Sequence, residues 1–342
     1  MYCEMQNMNL QKRINLLLNI KQYMLGNDDQ WQRAKQKAFS ENNWFTPEFI
    51  ELSLNNIAKQ LLNKDVLTGL ANDYKIEELR LIPKNIGIVM PGNIPLEGIR
   101  DIVYVFLTGH YALIKPSIKD SALIKQLIKH IHEIEPASAP FFTIAELLKK
   151  CDAYIATNSN DNPDSFIHYF SRYPNIIRKK HTSVAILDGS ETTAELEQLS
   201  DDIHQYFGLS LKNVTKIYVP LGYDFIPLLN SFNKYESFTN HNKYKNNYDY
   251  HLAMHILNNK YYMTNGSTLL IEEKSIFSPV GQVHYEFYDS TTLLDDLKSN
   301  KAIFSIIGHN GVPFGKAQFP VTDVHTEEVD TINFLKRLNE VN

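Results

Sequence analysis

Cysteine is scarce: Cys3 and Cys151 are the two in 342 residues, so no disulfide framework and no cysteine-built metal site is available. Long apolar runs are missing too, none approaching the roughly 18 residues that a membrane span requires. The opening MYCEMQNMNLQKR lacks the apolar core of a signal peptide, which makes the cytoplasm the expected compartment and a membrane span unexpected. Basic charge is not in excess: 34 Lys+Arg against 39 Asp+Glu give a net charge of −5, without a basic stripe. Nucleic acid is therefore not an expected partner. No internal repeat or low-complexity tract breaks the chain. What the chain does have is length for two domains, each with its own core, and 19 Tyr with 18 Phe to line cores and crevices.

The stretch Asn85 to Ser117, NIGIVMPGNIPLEGIRDIVYVFLTGHYALIKPS, reads as one strand-turn-helix-strand unit. Ile86, Ile88, Val89 and Met90 form the short, nearly continuous apolar run of a strand buried on both faces of a parallel sheet. Pro91-Gly92-Asn93 breaks it, with Asn93 expected as helix N-cap and Pro95 in the first turn. Ile94, Ile99, Ile102, Val103 and Phe106 recur at helical spacing until Gly109 stops the helix, and a second strand spans Tyr111 to Ile114. Ligands of such sheets bind where the carboxyl ends of the strands open onto the turns, so Gly92, Asn93 and Lys115 are expected near one another.

Upstream, residues 9 to 25 predict an amphipathic helix ended by Gly26, and a second helical region follows, with Thr46 as cap and Pro47 at the first position of the run FIELSLNNIAKQLL. Downstream, Lys119 to Ile134 predicts a helix, Phe141 to Lys150 a shorter element, and Ala153 to Thr157 a buried strand. The turn Thr157 to Asn160 leads to a helix over about 163 to 170. IIRKKHTSVAIL, 176 to 187, reads as one strand carrying the chain between domains, with a boundary near residue 180. A helix is expected to end at Phe207-Gly208 and a strand to run from Lys216 to Val219. Tyr223 to Asn258 reads as largely helical, followed by strands at Ser267 to Ile271, Val283 to Tyr288 and Ala302 to Ile307, with Thr292 to Ser299 helical. His251 and His255 stand four apart, but Leu252 breaks the His-Glu-x-x-His zinc pattern. Cys151 reads as a small apolar filler at the start of a strand.

Several of these segments resemble one family. The Pro-Gly-Asn turn at 91 to 93, Lys115-Pro116-Ser117, Trp44-Phe45-Thr46, Asn247 to His251, the run Val312 to Gln318 (VPFGKAQ) and Glu328 to Thr331 are similar to the acyl-CoA reductase branch of the aldehyde dehydrogenase superfamily, related to the fatty-acid reductase of bacterial bioluminescence. The resemblance implies an α/β, aldehyde dehydrogenase-like fold: an amino-terminal helical arm with an NAD(P)-binding domain over 1–180, and a catalytic-type domain over 181–342. It implies conversion of acyl-CoA to aldehyde, NADP or NAD as cofactor, acyl-CoA or aldehyde as ligand, and a homo- or hetero-oligomer. It further implies an oxyanion contact for Asn93 and cofactor contacts for Gly92, Lys115, Ser117 and Ser159. Asn158 stands where relatives have Gly, and Ile118 where many have a ribose-binding Glu, with Lys119 beside it. For Arg178, Lys179 and Lys180 two readings stand, a solvated strand edge or contact with CoA phosphates. In the family the loop between Phe-Gly and Asn-Val carries a nucleophilic cysteine. Counting from Phe207-Gly208 and back from Asn213-Val214, that position is Leu211, with Ser210 beside it and His204 upstream. Leucine has no lone pair, so an inactive homologue that binds nucleotide or acyl-CoA as a partner subunit stands beside the enzyme reading.

Overall fold

The computed structural model describes residues 8–80, 82–157, 170–289, 293–318 and 330–338. Cys3, the turn containing Asn158 and Ser159, most of the helix expected at 163 to 170, and Glu328-Val329 lie outside the described residues. The chain divides into two compact units, Met1–Lys179 with Val329–Asn342, and Lys180–Glu328.

The first unit begins with four helices, α1 Leu10–Leu25, α2 Asp29–Glu41, α3 Pro47–Gln60 and α4 Lys64–Asp73. Asn9 caps α1 by accepting from the Lys12 amide at 2.9 Å, and Ile14, Leu17, Ile20 and Met24 form its buried face. Thr46 and Pro47 start α3 as expected, the Thr46 hydroxyl accepting from the Phe49 amide. Five strands follow: β1 Asn85–Val89, β2 Tyr111–Lys115, β3 Phe142–Ile144, β4 Ala153–Thr157 and β5 Asn175–Arg178, in the order β3-β2-β1-β4-β5. All pairs are parallel, and strand order reverses between β1 and β4. Ile86, Ile88 and Ile114 are fully buried, as a doubly covered sheet requires. Helices α5 Ile99–Leu107 and α6 Ala122–Ile134 connect the strands. Gly109 ends α5 at φ +79°, a conformation that costs an L side chain about 1 kcal/mol.

Four expectations are corrected here. Asn93 is not the N-cap of α5; Gly98 is, because Leu96 takes a left-handed φ of +55° and holds Ile94–Gly98 in a non-helical turn. Helix α6 starts at Ala122, since Ser117 to Asp120 is a separate hydrogen-bonded turn. The region from Phe141 to Lys150 resolves into a 3-10 turn, Pro136–Phe141, and the short strand β3. The expected single strand over 176 to 187 is two strands in two sheets, β5 and β6 Thr182–Ile186, because the chain passes between units at 179 and 180.

The second unit holds a six-stranded sheet in the order β11-β6-β7-β10-β9-β8. Its further strands are β7 Val214–Pro220, β8 Met263–Thr264, β9 Leu269–Glu272, β10 Gln282–Tyr288 and β11 Ile303–Ile307. All are parallel except the two-residue edge strand β8. One face packs Ile217, Val219 and Val283 against Leu196, Leu199 and Ile203 of the helix Thr193–His204, and against Leu228 and Phe232. Region 223 to 258 is helical as expected, ending in Asn242–Leu257. The helix Thr331–Arg337 belongs to the first unit.

Candidate functional site

In the first unit, the ends of β1 and β2 meet. Val89 pairs with Lys115, and the Met90 amide donates to the Lys115 carbonyl at 3.0 Å. Three residues on, Gly92 abuts Ser117 so closely that a Cβ on Gly92 would lie 2.3 Å from Ser117 Oγ and 3.2 Å from Lys119 Cβ. Any other residue at 92 would force the two turns apart. The turn after β2 is held by the Asp120 amide donating to the Ser117 carbonyl at 3.1 Å and by the Lys119 amide donating to Ser117 Oγ at 3.2 Å. Asn93 is half-buried, and among the described residues its side chain has no hydrogen-bond partner. Lys115 and Lys119 are exposed, and among the described residues neither is ion-paired. Gly92, Ser117, Lys115 and Lys119 thus gather at one end of the parallel sheet, the end where such folds take ligands.

One residue here escaped sequence reasoning. Asp120 is buried; its Oδ2 accepts from the Leu96 amide at 2.6 Å, and among the described residues its Oδ1 has no partner. Burial pushes its carboxyl pKa up to about 7. Nothing local marks it, because its partner is 24 residues away in sequence. Arg178 fits neither of its two expected readings. It is neither a solvated edge nor a free phosphate ligand: it makes a two-pronged contact with Asp101 at 2.9 and 2.9 Å and reaches Thr331 Oγ1 at 2.9 Å. Cys151 packs with Leu148, Tyr154 and Phe170, and burial pushes its thiol up, as an apolar filler requires.

In the second unit, the helix Thr193–His204 opens with a capping box, Thr192 with Glu195. It ends in three consecutive left-handed residues, Tyr206, Phe207 and Gly208. The Phe207 ring anchors this turn between Phe238 and His241, at 4.4 and 4.6 Å between centroids. The next turn is Ser210–Asn213, closed by the Asn213 amide on the Ser210 carbonyl at 3.1 Å. Asn213 is fully buried and fixes it: its Oδ1 accepts from the Ser210 amide at 2.8 Å, and its Nδ2 donates to the carbonyls of Asp202 and Gln205 at 2.9 and 3.1 Å. Leu211 is the half-buried second residue of this turn.

The hydroxyl of Ser210 donates to Gln318 Oε1 at 3.0 Å, and no base bonds it among the described residues. His204, the candidate upstream, is fully enclosed. Its Nδ1 donates to the Ser200 carbonyl at 2.8 Å and its Nε2 accepts from Thr268 Oγ1 at 2.9 Å, while burial holds its pKa near 4. The imidazole is therefore neutral and committed. It borders a cavity with Tyr244, Thr268 and Gln282 that has room for about one water. Asp202, on the same helix, accepts from the Gly315 and Ala317 amides at 2.7 and 2.9 Å, which ties the VPFGKAQ segment to the Leu211 turn. His255 bonds Gln282 at 2.8 Å, and among the described residues neither it nor His251 belongs to a three-group metal cluster. The cluster that does form pairs exposed Asp188 and His309 with half-buried Glu191, and His309 bridges Asp188 and Glu195 at 3.0 and 3.1 Å.

No family model matches the chain, and no curated protein sequence matches it. Solved structures do. PutA of Anabaena variabilis, classed as an aldehyde dehydrogenase, is 14% identical over 87% of this chain and 74% of its own, with a TM-score of 0.65. Aldehyde dehydrogenase 21 from Physcomitrella patens, in complex with the reaction product succinate, is 12% identical over 90% and 75%, at 0.63. A mutant of aldehyde dehydrogenase C from Pseudomonas syringae, complexed with NAD+ and octanal, is 11% identical over 82% and 68%, at 0.61. The chain has the aldehyde dehydrogenase fold.

Proposed function

We propose that this chain is an aldehyde dehydrogenase superfamily protein of the acyl-CoA reductase type that binds a nicotinamide dinucleotide and an acyl-CoA or aldehyde without covalent turnover, as a cytoplasmic partner subunit. The observation that carries this reading is the Ser210–Asn213 turn with Leu211 at its second position. Thioester reduction through a covalent acyl group starts with attack by a thiolate. Leu211 offers none, the Ser210 hydroxyl is engaged by Gln318, and Cys151 packs in the core of the other unit.

What remains supports binding. The unpartnered Asn93 amide is available to donate to a carbonyl oxygen. Lys115, Ser117 and Lys119, clustered beside Gly92, are a donor set suited to ribose hydroxyls and phosphates, and Ser159 is assigned a phosphate contact by similarity. The nicotinamide group, when bound, supplies hydride. No helix among the described residues is long and apolar enough to cross a membrane.

The test is loss of NADPH absorbance in the presence of an acyl-CoA. The wild-type chain is expected to show none, and robust CoA release would reject the reading. Leu211→Cys is expected to bring NADPH oxidation at least about tenfold above the enzyme-free background, by restoring a nucleophile to a turn already held by Asn213. A folded Leu211→Cys protein that binds nucleotide but gains nothing would show that the turn is not the reacting position.

A further inference from the structure

The turn that carries Asn93 is held in a backbone conformation it would not take alone. Leu96, three residues on, is fully buried at φ +55°, and a residue with a side chain keeps such a backbone only where its surroundings impose it. Two side chains from other parts of the first unit do so. The Ser53 hydroxyl of α3 donates to the Pro95 carbonyl at 2.6 Å, and Asp120 Oδ2 accepts from the Leu96 amide at 2.6 Å. The turn closes on itself as the Ile99 amide donates to the Leu96 carbonyl at 3.0 Å. Of the two clamps, Ser53 carries no charge at any working pH, whereas Asp120 is able to ionise. Among the described residues Asp120 Oδ1 has no partner, so an ionised carboxylate has the Leu96 amide as its one donor where it could accept about four. No cation reaches it: Asn42, which donates to the Lys119 carbonyl, and Ser53 are uncharged, Lys115 and Lys119 of its own turn are exposed, and Glu97 of the facing turn is an acid. Burial alone opposes its ionisation and the Leu96 amide alone favours it, which leaves the carboxyl pKa at about 7.

We infer that Asp120 is a positioning residue for Asn93: its un-ionised carboxyl latches Leu96 and keeps the turn in the form that offers the Asn93 amide to a ligand carbonyl, and its ionisation releases the latch. The inference rests on the reading of Asn93 as a carbonyl donor given above. An ionised carboxylate is drawn out of the core towards water, and Leu96, no longer held, relaxes to a right-handed backbone and shifts Asn93 with it. Affinity is therefore highest below pH 7 and is lost as pH rises through it. By linkage, a ligand that uses Asn93 favours the proton on Asp120 and moves the midpoint upwards.

Two measurements on the full chain test this, one without a ligand. Hydrogen exchange of the Leu96 amide, corrected for the intrinsic rate, should accelerate at least about fivefold between pH 6 and pH 8 in the wild type and stay level in Asp120→Asn, which keeps an acceptor but cannot ionise. Calorimetric titration with octanoyl-CoA should show the wild type losing at least about fivefold in affinity over the same range, with Asp120→Asn holding the affinity of the acidic limb throughout. The CoA phosphate titrates in this range too, but it is common to both proteins, so the difference between them is what counts. In an Asn93→Ala background the difference should vanish. Matching exchange profiles for wild type and Asp120→Asn overturn the latch. An exchange step with matching affinity profiles, or an affinity difference that survives Asn93→Ala, overturns the action of Asp120 through Asn93. An exchange step without binding of octanoyl-CoA by either protein leaves the latch standing and overturns the ligand reading of Asn93.

Discussion

Among the described residues, the buried Asp120 carboxyl has one partner, the Leu96 amide, and its second oxygen has none. An ionised carboxylate in that position is costly, so the proton stays on to about pH 7 in the folded chain, against 3.8 for the ordinary group. The sign follows: between these values the folded state binds a proton that the unfolded state has released, so the contribution of Asp120 to stability is greatest at low pH, declines as pH rises through that window, and is flat above it. The full swing is on the order of 4 kcal/mol. Asp120→Asn keeps an acceptor for the Leu96 amide and removes the ionisation. Thermal melts from pH 5 to 8 should show the variant gaining on the wild type as pH increases, and parallel curves would contradict the assigned burial. His204 shows the opposite bias: with its pKa held near 4, its neutral form supports the fold above about 6.5 and that support is lost as pH falls towards 4.

At the scale of elements, the Leu211 turn depends on one side chain. Asn213 joins the end of helix Thr193–His204, the turn and the start of β7 through three hydrogen bonds. Asn213→Ala would strand the Ser210 amide and two carbonyls in a buried site, costing about 2–4 kcal/mol. Urea denaturation should show a lower midpoint with an unchanged slope, and a change in slope instead would place the effect outside the native turn. The sequence signalled where this turn lies, because Phe207-Gly208 and Asn213-Val214 bracket it. It did not signal Gln318, 108 residues from Ser210, or Asp202 bridging to Gly315 and Ala317. The same limit explains the start of α5. Apolar spacing at Ile94 and Ile99 favoured an early start, but the left-handed Leu96 is set by a carboxylate that only the fold brings near. Strands β1 and β4 were legible because burial on both faces writes itself as a nearly continuous apolar run. For β5 and β6 the apolar stretches on either side of Arg178-Lys179-Lys180-His181 read as one strand, which concealed a passage from one sheet to another.

Across the whole molecule, the first unit is completed by a segment remote in sequence. Arg80 Nη2 donates to the Leu335 and Lys336 carbonyls at 3.4 and 3.2 Å, 255 and 256 residues on. His110 takes part as a neutral ring: its Nδ1 accepts from the Lys84 amide at 3.0 Å, which leaves Nε2 to donate to the Leu335 carbonyl at 3.0 Å, and burial holds its pKa near 3. Ile332 and Leu335, 1% and 0% exposed, belong to the same apolar core as β1 and α5, whereas the core around Ile217 and Val219 contains neither. Removing residues 331–342 therefore strips two fully buried aliphatic side chains and several carbonyl partners from one unit alone. At about 2–5 kcal/mol for each large-to-small loss of this kind, the first unit should lose at least about 4 kcal/mol. Hydrogen exchange read peptide by peptide is the measurement, because it reports each unit separately. Amides of β1, β2 and α5 should lose protection in the truncated chain while those of β7 and β10 keep theirs. Equal loss in both would mean that the two cores do not unfold as separate units, and no loss in either would mean that the last helix contributes little to the core it enters.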